Sequence, residues 1–294
     1  DGWDVQRHTR LIGNTTACKL SDIIGFGGTG VFVARNNGNN TFWPAQLVLH
    51  DFCGTTGWDN AKHVRFVADL RKKGYVDLIG FGEDGVYVSK GNGDGTFGPI
   101  YKALNSFGVA DGWEIQKHLR FLADTAGDGL PDIVGFGEDE VVVSLNKGDG
   151  TFDEPVRASE HFSYNHGDWR IDRDIRLLGD VTGNGRVDIV GFGRGGVWVS
   201  LSNGDGTFQV PILAIKDFAV DAGGWEVNKH PRFLADVNGN GRMDIVGFGG
   251  SGVWVALSNG DGTFQNMKLV LREFGYNSNW RVEKHARFVA DLTG

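Results

Sequence analysis

The chain is an alternation of short apolar runs and glycine-rich turns, and the apolar positions follow strand periods with no helical one. The pattern is clearest in the stretch GWEVNKHPRFLADVNGNGRMDIVGFGGSGVWVALSNGDGTF, which begins at Gly224. It predicts four strands here, near residues 231–237, 243–248, 253–257 and 267–271. The second run is almost continuously apolar and suits a strand that is buried on both faces. The third run alternates, as half-buried strands do.

The turns between these runs favour antiparallel pairing. The sequence Asn-Gly-Asp-Gly at positions 259–262 strongly favours a hairpin turn, because asparagine and glycine accept positive φ. Four antiparallel strands in a unit of about 40 to 55 residues are typical of a propeller blade. An open β-solenoid is the alternative, and it needs shorter rungs with parallel pairing.

The same unit recurs along the whole chain of 294 residues. One tryptophan opens each copy, with spacings of 55, 55, 56, 56 and 55 residues, at Trp3, Trp58, Trp113, Trp169, Trp225 and Trp280. The phrase GFG occurs five times, beginning at Gly25, Gly80, Gly135, Gly191 and Gly247. We therefore expect an all-β fold, a single β-propeller domain over residues 1–294, with repeats at about 2–56, 57–111, 112–166, 167–222 and 223–278 and a partial one at 279–294.

The net charge and composition exclude some classes of binding partner. The net charge of −8 disfavours nucleic acid and anionic membranes, which both need a basic surface. No run of 18 apolar residues is present, and the start DGWDVQRH has no apolar leader segment. Cys18 and Cys53 occupy different segments of their repeat, so a disulfide framework is not expected. A soluble protein follows, cytoplasmic or secreted without a visible signal peptide, with the cytosol slightly favoured.

A loop of the form D-x-[DNT]-x-[DN]-G-x-x-D between the first two strands suggests a calcium site. Calcium takes six to eight oxygen ligands, and alternating acidic and amide side chains around a glycine bend supply them. The three candidate copies offer, in the fifth repeat, Asp236, Asn238, Asn240, the carbonyl of Arg242, and Asp244; in the fourth, Asp180, Thr182, Asn184 and Asp188; and in the third, Asp124, Asp128 and Asp132. Ala126 removes one ligand from the third copy. The second copy has Lys73 at a ligand position, and the first has Asn14, Thr16 and Cys18, so neither of these two loops should bind calcium.

A second candidate site lies at the other end of each predicted sheet, where GW-x-x-x-KH-x-R leads into the first strand. Residues two apart in a strand share a side, so the histidine and arginine should point together, with the tryptophan upstream. An aromatic plane with fixed donors suits a sugar ring. These sets are Trp3, His8, Arg10; Trp58, His63, Arg65; Trp113, His118, Arg120; Trp225, His230, Arg232; and Trp280, His285, Arg287. In the fourth copy Asp174 replaces the histidine beside Trp169 and Arg176, so this junction should be weak or silent.

Packing is an alternative explanation of the same residues, and on the residues alone it is the stronger one. Repeats keep residues because each unit packs on the next, so the tryptophan can be core. The arginine can pair with a neighbouring carboxylate such as Glu226 or Glu283. His161 and His166 fall outside the repeat pattern, and loop histidines of this kind are usually surface residues.

The string GFG-x-x-GVWVSLxNGDGTF, with GW-x-x-x-KH-x-RF-x-AD ahead of it, resembles the Psathyrella velutina lectin family over essentially the whole chain. That resemblance implies an integrin-α-like, FG-GAP propeller that binds terminal N-acetylglucosamine, and also sialic acid, in shallow pockets between adjacent blades. It implies glycans or glycoproteins as partners and the Trp/His/Arg sets as sugar contacts, with Glu83, Asp84, Glu138 and Asp139 after GFG as lesser candidates. The calcium loops, of integrin type, would then be structural and lie on the opposite face.

Two questions stay open at this point. The first is the number of blades. One blade per GFG gives five blades, with residues 287–291 as the closing strand and Thr9–Gly13 displaced or redundant. If an N-terminal segment has been lost, the ring has six blades. A protein-binding propeller like an integrin head is the alternative function. It needs one dissimilar patch, while five similar Trp/His/Arg sets favour a multivalent lectin. No catalytic motif of a known class is present, so an enzyme is not expected.

Overall fold

The computed structural model describes residues 2–290, and its described part is built almost entirely of β-strands. The strands form five four-stranded sheets, each from four consecutive strands in chain order. The first sheet contains β1 (Thr9–Gly13), β2 (Asp22–Phe26), β3 (Val31–Ala34) and β4 (Gln46–Leu49). The second contains β5 (Val64–Ala68), β6 (Asp77–Phe81), β7 (Val86–Gly91) and β8 (Phe97–Leu104).

The remaining sheets repeat this order. The third contains β9 (Leu119–Ala123), β10 (Asp132–Phe136), β11 (Val141–Ser144) and β12 (Val156–Ser159). The fourth contains β13 (Ile175–Gly179), β14 (Asp188–Phe192), β15 (Val197–Ser200) and β16 (Ile212–Ile215). The fifth contains β17 (Arg232–Ala235), β18 (Asp244–Phe248), β19 (Val253–Ala256) and β20 (Lys268–Leu271). The strands predicted for the fifth repeat are therefore confirmed, with ends that differ by one or two residues.

Short 3₁₀ helices occur in two of the linkers between sheets, at Gly54–Thr56 and Val109–Asp111, and a third follows the fifth sheet, at Tyr276–Ser278. Within the described residues no helix is long and apolar enough to cross a membrane.

The antiparallel register places the arginine of each first strand opposite the first glycine of GFG. Arg65 pairs with Gly80, and Arg232 pairs with Gly247. The second strands carry GFG and are buried at every position in β6, β10, β14 and β18, as the continuous apolar run predicts. The first glycine of GFG thus has no side chain at a buried position that is directly opposite the arginine of the first strand.

The first strand of the first sheet is not displaced. β1 pairs with β2 over its whole length, from Thr9 opposite Phe26 to Gly13 opposite Asp22. Residues 287–290, predicted as part of a closing strand, are described without strand structure, and Asp291 lies outside the described residues. Ring closure by this segment therefore stays a prediction.

The chain divides into two compact units. One comprises Asp1–Ala123, Gly129–Gly137 and Val143–Val156; its first two sheets share a core that includes Phe26, Phe52 and Leu78. The other comprises Asp124–Asp128, Glu138–Val142 and Arg157–Gly294, and its core includes Val190, Phe218 and Ile245. In each unit one apolar cluster spans successive sheets, so the first and second sheets pack on each other in one unit, and the fourth and fifth sheets do so in the other.

Candidate functional site

The tryptophan that opens each repeat lies across the first glycine of GFG. A Cβ atom built on Gly191 would stand 2.5 Å from Cη2 of Trp169, and one built on Gly247 would stand 2.6 Å from Cη2 of Trp225. Only glycine admits this contact, since real Cβ atoms do not come within 3.0 Å of a neighbour. Both tryptophans are buried, at 7% and 3% exposure. Trp58 and Trp113 make the same contact with Gly80 and Gly135.

A phenylalanine six or seven residues before the tryptophan completes this packing, and it was missed in the sequence analysis. Phe218 stacks at a tilt on Trp225 with ring centroids 4.9 Å apart. Its φ of 56° is unusual for a bulky residue, and its equivalents share the conformation, at Phe52, Phe107, Phe162 and Phe274. The signal was available as the repeated phenylalanine in the linkers DFCGTTGW, SFGVADGW, HFSYNHGDW, DFAVDAGGW and EFGYNSNW.

The left-handed phenylalanine turns its carbonyl toward the buried arginine. Arg232 donates from Nη1 to the carbonyl oxygen of Phe218 at 2.9 Å, and its guanidinium carbon lies 5.6 Å from the ring centroid of Phe192 in the preceding repeat. Burial lowers the pKa of Arg232 to about 10. The same carbonyl bond is made by Arg65, Arg120, Arg176 and Arg287. Each of these arginines thus binds a backbone carbonyl. The alternative pairing of the arginine with Glu226 is not formed, since Glu226 pairs with Lys229.

The histidine of each set closes a turn with one nitrogen. In the fifth copy the backbone N–H of Glu226 donates to Nδ1 of His230 at 3.1 Å. An N–H group can donate only to an unprotonated nitrogen, so the proton of this neutral ring is on Nε2. The same bond occurs at His8, His63, His118 and His285. Burial lowers the pKa values of His63 and His230, which keeps both rings neutral at pH 7.

Asp174 takes over the turn-closing bond in the fourth copy. Its Oδ2 accepts from the backbone N–H of Arg170 at 2.9 Å, as Nδ1 of histidine does elsewhere. Arg173 covers the carboxylate with an ion pair of 2.8 Å. The substitution therefore preserves the turn and removes the Nε2–H donor.

An open pocket of about 390 Å³ surrounds the histidine of the fifth copy. The turn after GFG contributes Gly250 and Ser251, β19 contributes Trp254, and the following linker contributes Tyr276 and Asn277. Trp225, Glu226, Lys229 and His230 form the remaining wall. The ring of Tyr276 lies edge-on to His230, with centroids 6.0 Å apart. We call this the fifth junction pocket; it combines aromatic faces with hydrogen-bond donors and acceptors.

The fourth junction pocket, of about 420 Å³, has the same construction with different chemistry. Trp169 and Trp198 line it, but Asp174 and Arg173 stand where the fifth has His230 and Lys229. His161 also lines it, so this histidine faces a pocket, while Nδ1 of His166 lies 2.5 Å from the carbonyl oxygen of Asp139.

Of the two candidate residues that follow GFG in the second copy, Glu83 lies near the histidine and Asp84 is bound by other side chains. Nε2 of His63 lies 3.6 Å from Glu83, and Asp84 is bound by Tyr87 and Lys102. In the third, Asn165 contacts both candidates, with its backbone N–H donating to the carbonyl of Glu138 and its side chain to Asp139. Of the outermost sets, Trp3 is 42% exposed and Arg10 and His285 are exposed, whereas Arg287 is buried.

The glycine loops at the other end of the sheets are closed by the backbone. In the fifth copy Asp236 accepts from the N–H groups of Gly239 and Gly241 at 2.8 and 2.7 Å, and Asn240 accepts from Arg242 at 2.9 Å. Asp180 and Asn184 reproduce this arrangement in the fourth copy, where Thr182 also binds Asp180. In the third, Asp124 accepts from Gly127 and Asp128. Oδ2 of Asp236 accepts one of these bonds, from Gly241, and retains a lone pair that a cation can use, whereas Oδ1 accepts from Asn238, Gly239 and Asn240. Asp180 is arranged in the same way.

The last aspartate of the loop is buried at the start of the second strand, and it accepts hydrogen bonds from the segments that follow the first and third strands. Asp244 accepts from the backbone N–H groups of Ser258 at 2.8 Å and Val237 at 3.2 Å. Asp188 does the same with Ser202 and Val181, and Asp132 accepts from Asn146. Burial raises the pKa of Asp188 to about 6. Within residues 2–290 no three His, Cys, Asp or Glu side chains converge as a metal site, so any cation here depends on amide and carbonyl oxygens as well.

The chain is similar in sequence and structure to a lectin from Agrocybe aegerita that specifically recognises non-reducing terminal N-acetylglucosamine. The two are 51% identical with a TM-score of 0.96, over 99% of this chain and 73% of the other. The pore of the Photorhabdus luminescens Tc holotoxin shares the fold alone, at 18% identity and a TM-score of 0.57 over 90% of this chain and 12% of that one. No family model and no curated protein matches the chain.

Proposed function

Since this chain belongs to the fungal lectin family that includes the Agrocybe aegerita protein, we propose that it is a multivalent lectin for terminal N-acetylglucosamine. The observation that carries the proposal is 51% identity to that lectin over 99% of the chain. It confirms the resemblance to fungal lectins predicted from the repeat, and it favours a carbohydrate-binding protein over an enzyme. Glycans with terminal N-acetylglucosamine are then the partners.

The junction pockets supply the chemistry that an N-acetyl sugar needs. Trp254 and Tyr276 give apolar faces for the sugar C–H groups and the acetamido methyl group. Nε2–H of His230 is a fixed donor, and the side chains of Glu226, Ser251 and Asn277 add acceptors and donors. In this proposal the tryptophan of the set forms the floor of the pocket. The buried arginine holds that floor from beneath and does not reach the sugar.

A matched pair of variants tests this division of roles. Trp254→Ala should weaken N-acetylglucosamine binding at the fifth pocket, and it should also lower the unfolding free energy, because the half-buried indole packs on the core as well as lining the pocket. Arg232→Met should lower the unfolding free energy by about 1–3 kcal/mol, because the Phe218 carbonyl loses a charged partner. Calorimetric titration and chemical unfolding measure the two effects. Equal loss of affinity in folded Arg232→Met would place the arginine in the sugar site.

The ligand range is tested by titration with N-acetylglucosamine, fucose, galactose and sialic acid. We propose that sialic acid competes for the same pockets, because it carries an acetamido group as well. Binding of none of these sugars would contradict the lectin proposal and leave the integrin-like adhesion function in its place.

We also propose that the sheets are successive blades of a β-propeller. Five four-stranded antiparallel repeats and a core shared by successive sheets support it. A crystal structure tests this proposal, because it shows whether five sheets form the ring and whether residues 287–291 add a closing strand.

For the glycine loops we propose structural calcium in the fifth, fourth and third copies. Asp236, Asn238, Asn240, the Arg242 carbonyl and Asp244 would hold it in the fifth. A chelator should lower the melting temperature and leave sugar affinity unchanged, and Asp236→Ala should remove part of that chelator effect. An identical melting temperature with calcium and with chelator would contradict the proposal.

A further inference from the structure

The first repeat carries an exposed tryptophan that the other repeats lack. Trp43 follows the turn after β3, where the other copies have Gly98, Asp153, Gln209 and Gln265. It is 58% exposed, the largest value among the tryptophans in residues 2–290. A single exposed ring is not a site by itself, so the residues around Trp43 decide what it can do. Trp43 lies at the glycine-loop end of the sheet, away from the histidine that opens the repeat.

Trp43 borders an open pocket of about 400 Å³. Val33 and Val48 form its apolar floor, and Arg35, Gln46, Asp94 and Thr96 form its polar sides. The rim is fixed by several bonds. The backbone N–H of Trp43 donates to the carbonyl of Arg35 at 2.8 Å, and Nη1 of Arg35 donates to the carbonyl of Asp94 at 3.3 Å.

The pocket is open because one side chain of the repeat is changed. At the position of Gln46 the second repeat has Tyr101, which reaches the next turn and donates to the carbonyl of Gly150 at 3.0 Å. In the fourth repeat Ile212 fills the equivalent space, 3.5 Å from a Cβ built on Gly262. Gln46 makes no such closure with Gly95, where the nearest side chain is Arg35. The gap and the tryptophan therefore occur together, in one repeat alone among these three.

We propose that this Trp43 pocket is a second saccharide site, distinct from the junction pockets, and that it takes a neutral sugar residue. The indole supplies a stacking plane, Arg35 and Gln46 supply donors, and Asp94 supplies an acceptor. Asp94 has Oδ1 engaged by the N–H and hydroxyl of Thr96 at 2.9 and 2.6 Å, and Oδ2 remains to accept. One positive and one negative side chain on the same rim disfavour a charged ligand of either sign.

Fluorine NMR of the full chain labelled with 5-fluorotryptophan tests the proposal. Trp43→Phe assigns the Trp43 resonance, and the probes are the methyl glycosides of glucose, galactose, mannose, fucose and N-acetylglucosamine. At least one should shift the Trp43 resonance saturably. Trp43→Ala should weaken that binding about tenfold or more, the equivalent of an aromatic contact of about 1.4 kcal/mol.

Gln46→Tyr is the matched control, because it copies the closed second repeat and leaves Trp43 in place. It should abolish the Trp43 response while the resonances of Trp198 and Trp254 still report on the junction pockets. Absence of any Trp43 shift with these glycosides, or a shift that persists in Gln46→Tyr, would overturn the proposal. A Trp43 response without junction binding would support this site and contradict the proposed function.

Discussion

At the scale of single residues, the repeat is organised around a glycine that a tryptophan covers. The Trp-on-Gly contact explains why GFG recurs, because the first glycine is the only residue that admits the indole above a buried strand. Sequence alone placed tryptophan, histidine and arginine near one another correctly. It did not separate the buried arginine from the pocket residues, because a charged residue in a strand gives no sign of which carbonyl will accept from it.

Gly191→Ala should therefore destabilise the fourth repeat strongly. The new Cβ would meet Trp169 at 2.5 Å and Phe162 at 2.7 Å, and we expect a loss of about 2–3 kcal/mol in unfolding free energy. Gly195→Ala in the same repeat is the control, since nothing lies within 4 Å of that position. Urea unfolding of both variants measures the difference, and equal stabilities would contradict the packing described here.

His230→Asp should silence the fifth junction pocket without unfolding it. Asp174 shows that a carboxylate can close the same turn, and Lys229 stands where Arg173 pairs with it. The change removes the Nε2–H donor, so sugar affinity at this pocket should fall about tenfold, the equivalent of one hydrogen bond. Titration calorimetry and a melting curve give the two readouts. Unchanged affinity would show that His230 only closes the turn.

At the scale of strands and loops, the hydrophobic pattern predicted the elements well. The ends of β17 to β20 follow from alternation and glycine turns, which are local properties of the chain. The left-handed phenylalanines were not predicted, because positive φ is expected at glycine or asparagine. Tertiary packing imposes it here, through the tryptophan on one side and the arginine on the carbonyl.

The buried aspartate at the start of the second strand should make stability depend on pH. The pKa of Asp188 is raised to about 6 in the fold, above an unfolded value near 3.9, so its protonated form is favoured in the folded state. This contribution is present below about pH 4 and is lost as the pH rises through 6. Two pKa units correspond to about 3 kcal/mol.

Asp188→Asn should remove that slope, because the amide resembles the protonated acid at every pH. The measurement is unfolding free energy at pH 4, 5, 6 and 7 with a chelator present, so that calcium does not hold the carboxylate ionised. Asp205→Asn is the control: hydrogen bonds from Thr207 lower the pKa of this exposed carboxyl below 3.8, outside the measured window. A wild-type slope that survives in Asp188→Asn would assign the titration to another group.

At the scale of the whole molecule, the repeat bears on how the proposed lectin would bind. Several similar pockets on one chain would convert weak contacts into strong attachment, since linked sites gain about 10²–10⁴ in avidity over one site. The repeat itself was evident from sequence, and this made the lectin interpretation available. The difference between the fourth and fifth pockets was foreseen from Asp174 alone, but the retained turn was visible only in three dimensions.

Binding to a surface dense in N-acetylglucosamine should accordingly exceed binding to the free sugar by about 10²–10⁴. Biolayer interferometry on the surface and calorimetry in solution give the two constants. Calorimetry should also return more than one sugar per chain. A stoichiometry of one, with equal constants in both formats, would contradict the multivalent proposal.

The arginine that lies over an aromatic ring of the preceding repeat has a further consequence. Arg65 lies over Phe26, Arg120 over Phe81, and Arg232 over Phe192, so at these three joints an arginine of the first strand meets an aromatic ring on the second strand of the repeat before it. A repeat that carries both residues can therefore follow another such repeat without a new interface. Gene duplication and unequal recombination could lengthen or shorten such a chain one unit at a time. Individual copies would then be free to diverge, as the fourth pocket and Trp43 have done, while the joint between them stays the same.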